Sequence, residues 1–231
     1  MKKYAVIVAG GSGTRLGAPI PKQFLVLNGY PVLWWSTKAF HDEDKETVII
    51  LVLPEKYIHE WEKILSLLPE ESRFHHQIVS GGATRFESVK SGLSVIPDGE
   101  SLIAVHDAAR PLVSVEMIEE GWFTAKEKGT AIPVVPVTDS LRKLTHNGVS
   151  VSVDRKDYVA VQTPQVFRSD IIKNAYKSNY QDNFTDDASV VEATGHEISL
   201  YKGSVNNMKV TNPGDPEIAA VLMKEMNGEV S

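Results

Sequence analysis

An apolar run that ends abruptly in glycines opens the sequence and constrains its fold more than any other stretch. Residues 4–8 are apolar and rich in β-branched side chains, as in a buried strand, and Gly10, Gly11 and Gly13 follow them. Glycines permit positive φ angles and leave backbone N–H groups uncovered, and uncovered amides that point the same way bind an anion. The stretch therefore predicts a strand that leads into a phosphate-binding loop.

Spacing argues against two familiar kinds of glycine loop. The GxxxxGK[ST] pattern of P-loops is absent. A dinucleotide loop needs a third glycine where Leu16 stands, and Gly17 comes one position late. Such a loop also needs a carboxylate about 20 residues further on, and no Asp or Glu occurs between Arg15 and Phe40.

Two cations accompany the glycines. Arg15 follows them directly, and Lys22 lies in a segment that Pro19 and Pro21 stiffen, so its ammonium group loses little entropy when it binds a ligand. This arrangement fits a loop that holds a triphosphate beside two basic side chains. A glycine turn with two solvated cations is the alternative that these residues leave open.

Size and charge favour a single domain and a small-molecule substrate. A chain of 231 residues suits one α/β domain that spans residues 1–231. The formal net charge is −6, so an anionic substrate must be bound by a local cluster of Arg and Lys, and a nucleic-acid polymer is not an expected partner. Cysteine is absent, which excludes disulfides, thiolate zinc sites and a cysteine nucleophile.

The apolar runs predict neither export nor a membrane partner. Lys2 and Lys3 resemble the start of a signal peptide, but Gly10 cuts the apolar run behind them short. The longest apolar run elsewhere, residues 48–53, is far too short to span a bilayer. We therefore expect a cytoplasmic protein.

Strand and helix patterns alternate along the first part of the chain. Apolar, β-branched runs at 47–53, 77–80, 102–105 and 131–137 predict buried strands. Helices are expected at 31–40, from 54, from about 83 and at 114–128, the last with Ser114 as N-cap. This order predicts a Rossmann-like α/β fold with a mixed, mostly parallel sheet and helices on both faces.

A second glycine loop is expected at the ligand-binding edge of the sheet. Gly81 and Gly82 follow a predicted strand, and Arg85 and Ser88 lie in the first turns of the next helix. A tight connection without a ligand is the alternative.

Charged residues also follow the strand predicted at 102–105, in the motif HDAARP. Asp107 is suited to a divalent cation or a ligand hydroxyl, and Arg110 to pairing with Asp107 or with a phosphate. A structural ion pair between Asp and Arg is the alternative.

Residues 138–162 break the alternation and predict an inserted β-arm. His146, Asn147 and Gly148 lie between apolar runs, and Asn-Gly is a strong hairpin signal. A hairpin inserted into an α/β core projects from it, and such arms commonly bury their apolar face against a second subunit. The sequence therefore predicts a homodimer through this arm.

The last quarter of the chain returns to helices and short strands. A helix is expected from 169 to about 180, and Thr185 is expected to cap another, with Asp186 and Asp187 in a structural role in its first turn. Strands at 198–201 and 208–211 and a helix from about Pro213 complete the pattern.

Seven motifs spread over the whole chain are similar to those of the 2-C-methyl-D-erythritol 4-phosphate cytidylyltransferases, a family of sugar nucleotidyltransferases. In order they are AGGSGTRLG, PKQF, HDAARP, VDR, QTPQVF, TDDA and NNMKVTNP. The resemblance implies a homodimeric enzyme of non-mevalonate isoprenoid biosynthesis that joins CTP to a phosphorylated polyol and releases pyrophosphate. It also implies Mg²⁺ on the triphosphate and no organic cofactor.

The resemblance implies roles for particular residues. Arg15 and Lys22 would stabilise the α-phosphate and the departing pyrophosphate, whereas Arg155 and Lys209 would bind the phosphate of the attacking substrate. Asp107 would lie near the metal ion. The expected nucleotide-binding residues are Ala9, Gly10, Gly11, Gly13, Thr14, Arg15, Lys22, Gly82, Arg85 and Ser88. The expected substrate-binding residues are Asp107, Arg110, Ser140, Arg155, Thr163, Thr185 and Lys209.

Two positions depart from the family pattern, and two other functions stay open. Ser140 stands where many members have Thr, and Ala83 where an acidic residue is common. Ribitol-5-phosphate cytidylyltransferases share PKQF and TPQ, but VDR and TDDA look more like the methylerythritol enzymes. A non-catalytic nucleotide-binding protein of the same fold would be free to lose cations, and all four expected cations are present.

Overall fold

Apolar runs form the strands of a central sheet, and the stretches between them form helices. The structure is a computed structural model that describes residues 1–10, 21–145 and 147–226. The strands are β1 (Lys2–Val8), β2 (Val26–Leu27), β3 (Tyr30–Pro31), β4 (Val48–Leu53), β5 (Gln77–Ser80), β6 (Ser101–Asp107), β7 (Thr130–Pro136), β8 (Arg142–Leu144), β9 (Ser150–Ser152), β10 (Val159–Val161), β11 (Gln165–Arg168) and β12 (Leu200–Lys202). The helices are α1 (Val32–Glu43), α2 (Ile58–Leu67), α3 (Arg85–Ser94), α4 (Val115–Lys128), α5 (Ser169–Ala175), α6 (Asp187–Glu192) and α7 (Asp215–Met226).

The central sheet has the strand order β10-β7-β11-β6-β1-β4-β5, and β12 pairs with β7. The pairs β1–β4, β1–β6, β4–β5 and β7–β12 are parallel. The pairs that β11 makes with β6 and β7, and β10 with β7, are antiparallel. The prediction of a mixed, mostly parallel sheet is confirmed, and the carboxyl ends of β1, β4, β5 and β6 meet at one edge.

Alternate side chains of each central strand pack against helices on opposite faces of the sheet. On one face, Ile7 and Leu51 pack with residues of α1, α2 and α4. On the other face, Val6 and Val52 pack with residues of α3, α5 and α6. All four side chains are fully buried. Helices therefore cover both faces, as the sequence predicts, and the strand ends are held rigidly between two cores.

Capping side chains decide where two helices begin. α3 begins at Arg85 rather than near residue 83, because the Thr84 hydroxyl accepts a hydrogen bond from Glu87 N–H and the Glu87 carboxylate accepts one from Thr84 N–H. Ser114 caps α4 as predicted.

The cap expected at Thr185 is wrong by one residue. Asp186 caps α6, since its carboxylate accepts a hydrogen bond from Ser189 N–H. α5 also ends at Ala175 rather than near residue 180. Asp187 is the first residue of α6, and its side chain pairs with Arg85 rather than with the helix.

The strand expected at residues 208–211 is wrong. The described backbone of this segment forms no strand ladder. Val210 N–H instead donates to the Ala109 carbonyl, Met208 N–H to the Asn206 carbonyl and Thr211 N–H to the Asp215 carboxylate. Val210 is buried in a small cluster with residues of α7, while Lys209 turns toward Asp107. The in-and-out alternation of the side chains is kept, but the segment lies along the turn that follows β6.

The hairpin predicted within residues 138–162 is confirmed. β8 and β9 pair in antiparallel register, with Arg142 opposite Ser152. Thr145 N–H donates to the Val149 carbonyl and closes the turn that contains Gly148. His146 lies outside the described residues.

The hairpin exposes much of its apolar surface. Leu144, Val149 and Val151 are 79%, 60% and 45% exposed, and Tyr158 beyond the hairpin is also 45% exposed. The last part of the predicted arm, β10, pairs with β7 in the central sheet.

The domain limits 1–231 and the dimerisation role of 138–162 stay predictions. Among the helices of the described ranges, none has the length and apolar character that crossing a membrane requires.

Candidate active site

A pocket lies at the carboxyl ends of β1 and β6, at the sheet edge where ligands bind in open α/β folds. Its volume is about 170 Å³. Three cations and one carboxylate belong to its described lining. The lining residues are Val8, Ala9, Gly10, Lys22, Gln23, Ala83, Thr84, Arg85, Asp107, Ala108, Ala109 and Lys209.

A larger open groove, of about 1360 Å³, lies at the other edge of the sheet. Its lining includes Met1, Glu100 and Lys126. The groove carries charges of both signs, and some of them are paired, as the 2.6 Å distance from Lys173 Nζ to Asp98 Oδ1 shows. Size alone would select this groove, but the cations that converge on a buried carboxylate make the smaller pocket the candidate active site.

Asp107 is the centre of the charge network in the pocket. Its Oδ1 accepts a hydrogen bond from Arg85 Nε at 3.2 Å, and its Oδ2 accepts one from Lys209 Nζ at 2.6 Å. Burial alone would raise the pKa of Asp107, but the charges of Arg85 and Lys209 outweigh it and hold that pKa well below its usual range. The ion pair considered between Asp107 and Arg110 is replaced by these two partners, because Arg110 Nη1 donates to the Asn207 carbonyl.

Arg85 joins Asp107 to a second, fully buried carboxylate. Its Nη1 and Nη2 donate to Oδ1 and Oδ2 of Asp187 at 3.0 and 2.7 Å, and Tyr176 Oη donates to Asp187 Oδ1 at 2.6 Å. Burial acts to lower the pKa of Arg85, but the charges of Asp187 and Asp107 outweigh it and raise that pKa. The guanidinium group therefore bridges two carboxylates, and its expected contact with cytidine stays a prediction.

Lys22 reaches the pocket from a single turn of 3-10 helix, Lys22–Phe24, that aromatic packing holds in place. The Phe24 ring is stacked on Trp61 at a centroid distance of 6.2 Å and meets Tyr57 edge-on at 5.9 Å. Lys22 Nζ donates to the Val210 carbonyl at 3.4 Å. The packing of Phe24 therefore limits where the ammonium group of Lys22 can lie.

A chain of hydrogen bonds fixes the turn behind Asp107. Asp107 N–H donates to Thr163 Oγ1 at 3.1 Å, and His106 Nδ1 lies 3.1 Å from the same hydroxyl. His106 Nε2 lies 3.1 Å from the Arg110 carbonyl, which only accepts, so Nε2 carries the proton and Nδ1 accepts from Thr163. Burial lowers the pKa of His106 from 6.5 to about 4, which keeps the ring neutral. Thr163 therefore supports the backbone of Asp107 from behind.

We expect the protein to lose stability as the pH falls from about 6.5 to about 4. The unfolded chain binds a proton on His106 in this window and the folded protein does not, so the free energy of unfolding rises with pH. The shift from 6.5 to about 4 corresponds to about 3 kcal/mol. Burial also lowers the pKa of His76, which adds a change of the same sign. Urea unfolding between pH 4 and 7 measures the slope.

The matched variants are His106→Gln and His59→Gln. His106→Gln keeps a neutral donor and acceptor and should flatten the slope. His59 is exposed, so His59→Gln should leave the slope unchanged. An equally steep slope in His106→Gln would contradict the assignment.

Close backbone contacts shape the loop that precedes α3. A Cβ on Gly82 would lie 2.3 Å from Glu87 Cβ, so a larger residue does not fit there. Ser88 Oγ donates to the Thr84 carbonyl at 2.9 Å, and a Cβ on Gly10 would lie 3.2 Å from the same Oγ. The end of β1 and the second glycine loop therefore meet at Ser88, as expected if both bind one nucleotide.

Other predicted site residues lie away from the pocket or outside the described residues. Ser140, Arg155 and Thr185 are exposed and do not belong to the described lining of the pocket. Arg155 Nη1 donates to the Thr138 carbonyl within the arm. The predicted residues outside the described ranges are Gly11, Gly13, Thr14 and Arg15.

Sequence reasoning did not identify Gln23 and Tyr176 as residues at or behind the pocket, and it gave Asp187 a structural role in the first turn of α6 without identifying Arg85 as its partner. Gln23 lines the pocket, and Asp187 and Tyr176 hold Arg85 in place from behind. The sequence contains one signal for the pairing of Asp187. The motif TDDA has two adjacent carboxylates and a helix cap uses only one of them, so the other is available for a different partner. Nothing in the local pattern marks Tyr176 as a partner.

A divalent cation fits this pocket in company with a triphosphate. Among the described residues, no group of three or more His, Cys, Asp or Glu side chains could hold a metal ion. Asp107 is the single acidic side chain in the described lining, and cations already pair with both its oxygens. Mg²⁺ commonly binds through one or two carboxylates, substrate phosphates and water. Each carboxylate oxygen of Asp107 has a second lone pair, so Asp107 can still supply the one protein ligand that this mode needs.

Sequence comparisons with known proteins agree with one another. The profile of the family described as IspD, 2-C-methyl-D-erythritol 4-phosphate cytidylyltransferase, matches residues 4–225. The chain is 47% identical over 223 residues to the 2-C-methyl-D-erythritol 4-phosphate cytidylyltransferase of Phocaeicola vulgatus, a match that covers 96% of this chain and 100% of the relative. It is 44% identical over 225 residues to the enzyme of the same name from Bacteroides fragilis, with 96% and 100% covered.

Solved structures have the same architecture. The 2-C-methyl-D-erythritol 4-phosphate cytidylyltransferase of Thermus thermophilus is similar with a TM-score of 0.75 and 30% identity, over 97% of this chain and 100% of that one. A 4-diphosphocytidyl-2C-methyl-D-erythritol synthase from Anaerococcus prevotii has a TM-score of 0.81 over 96% of this chain and 98% of that one. Its identity is 22%, so this likeness shows the fold alone.

Proposed function

The chain belongs to the 2-C-methyl-D-erythritol 4-phosphate cytidylyltransferase family, and from this premise we propose how its pocket performs that reaction. CTP and 2-C-methyl-D-erythritol 4-phosphate react to give CDP-methylerythritol and pyrophosphate, a step of non-mevalonate isoprenoid biosynthesis. The observation that supports the assignment of the site is the convergence of Lys22, Arg85 and Lys209 with Asp107 on one pocket at the carboxyl edge of the sheet.

The chemistry requires cations more than a general base. A phosphate oxygen of the polyol attacks the α-phosphorus of CTP, and the bond from that phosphorus to the pyrophosphate oxygen breaks. A phosphate monoester near neutral pH already carries anionic oxygen, so no residue has to remove a proton from it. Both reactants are anions, and their approach costs Coulomb energy that nearby cations offset.

Lys22 is placed to stabilise charge on the triphosphate. The ammonium group lies on a turn that Phe24 anchors in the core, so little ordering remains to be done when the nucleotide binds. Arg15, outside the described residues, would act with it on the α-phosphate and the leaving pyrophosphate. Mg²⁺, with Asp107 as its protein ligand, would neutralise charge on the triphosphate.

Lys209 is placed to bind the phosphate of the second substrate. Asp107 accepts one of the three N–H donors of its ammonium group, which fixes the position of that group. The Lys209 side chain is 39% exposed, so the remaining donors can meet a ligand. Asp107 and Arg85 therefore position the cation that receives the attacking phosphate.

Pyrophosphate release tests this function. Purified protein with CTP, Mg²⁺ and 2-C-methyl-D-erythritol 4-phosphate should release pyrophosphate, and omission of either substrate should abolish the release. Turnover of ribitol 5-phosphate but not the methylerythritol substrate would overturn the choice of polyol. A protein that binds CTP and turns over neither polyol would be a non-catalytic member of the fold.

The exposed arm supports a homodimer whose partner subunit completes the site. Arg155 lies on the arm and outside the described lining of the pocket of its own chain. The apolar residues of the arm, such as Leu144 at 79% exposure, offer a surface for a second copy. Burial of this surface between two copies would place Arg155 of one protomer near Lys209 of the other.

Mixing two impaired variants should restore activity at low concentrations of the polyol phosphate if Arg155 acts across the dimer. We expect Arg155→Ala and Lys209→Ala each to raise the KM for the polyol phosphate strongly while the KM for CTP changes little. In a mixed dimer one site has both residues intact, so random mixing should restore about one quarter of the parental sites.

Steady-state kinetics of the mixture and sedimentation of the parent protein measure these outcomes. No recovery after subunit exchange would show that Arg155 acts within its own chain. A monomer at micromolar concentration would refute the dimer.

The cytoplasmic location and the lack of a nucleic-acid partner stay predictions.

A further inference from the structure

One buried side-chain amide in the pocket has no hydrogen-bond partner among the residues that the structure describes. Gln23 is 2% exposed, and neither its Nε2 nor its Oε1 has a hydrogen-bond partner among the described residues. An unpaired buried donor or acceptor is destabilising, so buried polar atoms are nearly always paired. Gln23 leaves both kinds of group unpaired at once, and it lines the pocket beside Lys22.

Three backbone groups in the part of the pocket lining that follows β6 are already paired. Ala108 N–H donates to the Val8 carbonyl, and the Ala108 carbonyl accepts from Ser36 Oγ at 2.8 Å. The Ala109 carbonyl accepts from Val210 N–H. Gln23 lines the pocket, and an occupant that pairs with both ends of its amide has to supply both a donor and an acceptor.

We propose that the Gln23 side chain binds a hydroxyl group of a substrate, donating from Nε2 and accepting at Oε1. The proposal rests on the proposed function, which brings the ribose of a nucleotide and a polyol into this pocket. A hydroxyl both donates and accepts, so it satisfies an amide as no phosphate can. A phosphate oxygen only accepts, and it would leave Oε1 unpaired beside an anion.

Gln23 and the loop expected to contact the base enter the pocket from different strands of the sheet. Lys22 Nζ donates a hydrogen bond to the Val210 carbonyl, and Val210 N–H donates one to the Ala109 carbonyl. The Lys22–Phe24 turn therefore lies by the carboxyl end of β6. The loop that contains Gly82 follows β5, three strands away in the sheet. Gln23 is therefore a hydroxyl-binding residue rather than a contact of the cytosine.

Gln23→Met tests the proposal, because it separates a ligand-binding role from a structural one. Methionine keeps the length and removes both polar groups, so the melting temperature of the ligand-free variant should equal or exceed that of the parent. The KM for one substrate should rise about ten-fold, the scale of one or two lost hydrogen bonds. A residue with a purely structural role would instead show a lower melting temperature.

Two sets of measurements identify which substrate supplies the hydroxyl. If the ribose does, 2′-deoxy-CTP or 3′-deoxy-CTP should bind the parent more weakly than CTP, and Gln23→Met should lose that preference. If the polyol does, the KM for 2-C-methyl-D-erythritol 4-phosphate should rise and the affinity for CTP should stay unchanged. A change in the preference for CTP over UTP would place Gln23 at the base and overturn the proposal.

Thr47→Val is the matched control. Thr47 is buried and its Oγ1 also lacks a partner among the described residues, but it does not belong to the described lining of the pocket. Its replacement should leave both KM values unchanged. A melting temperature of Gln23→Met below that of the parent, or both KM values within two-fold of the parent, would overturn the proposal. Inactivity of the parent protein would instead refute the proposed function.

Discussion

Asp187→Asn is expected to lower the free energy of unfolding by about 3 kcal/mol. The change keeps the shape of the side chain and removes the charge that two nitrogens of Arg85 and the hydroxyl of Tyr176 contact. Loss of one partner of a buried ion pair costs about 3–5 kcal/mol, because the other charge stays buried without compensation. The Arg85 side chain keeps 31% exposure, so the lower end of that range applies. Urea unfolding at pH 7 measures the loss.

The neighbouring carboxylate supplies the control. Asp186 caps α6 and also accepts a hydrogen bond from Gln165 Nε2 at 2.8 Å, but it is partly exposed. Asp186→Ala should cost about 1 kcal/mol, as is usual for a lost N-cap. Equal losses of the free energy of unfolding in the two variants would contradict the buried ion pair as the main contribution of Asp187. The double variant Asp187→Asn with Arg85→Met should lose less free energy of unfolding than the sum of the losses in the two single variants. In each single variant one charge of the pair stays buried without its partner, whereas the double variant removes both charges.

Lys22→Ala is expected to reduce kcat by about 10²–10³-fold with a smaller change in KM. The loss is the size found when one preorganised donor to transition-state charge is removed. Negative charge grows on the leaving pyrophosphate as the reaction proceeds, so the ammonium group of Lys22 contributes more to the transition state than to ground-state binding. Steady-state kinetics with both substrates measure the effect.

Two further variants separate charge from position. Lys45→Ala removes an exposed lysine that does not belong to the described lining of the pocket and should leave kcat unchanged. Phe24→Leu keeps Lys22 but removes the ring that is stacked on Trp61, so it should lower kcat without removing any charge. Full activity in Lys22→Ala would refute the role of Lys22.

The sequence was sufficient for most of the fold because each element has a strong local cause. β-branched runs gave β1, β4 and β6 within a few residues, and Asn-Gly located the hairpin of β8 and β9. Errors came where tertiary contacts override a short pattern. Apolar and polar residues alternate at 208–211 as in a strand. The burial of Val210 and the hydrogen bond from Lys209 to Asp107 stabilise a different conformation, which has no partner strand.

The candidate site was predictable in its cations but not in their partners. Lys22 and Arg85 stand beside glycine loops, and HDAARP places Asp107 at a strand end, so local sequence pointed to all three. The pairing of Arg85 with Asp187 joins residues 102 positions apart, and no local pattern specifies it. The missing partner of Gln23 is visible only when the surrounding backbone groups have been accounted for.

The network around Asp107 has a consequence for synthesis of the chain. Arg85 meets Asp187, and Asp107 meets Lys209, across 102 positions of the sequence in each case, so each contact closes a long loop and costs chain entropy. A ribosome-bound chain that has not yet emerged beyond residue 209 contains its glycine loops and its strands. It still lacks the hydrogen bond between Lys209 and Asp107. The contacts that position Arg85 and Lys209 can therefore form only when most of the chain has been synthesised.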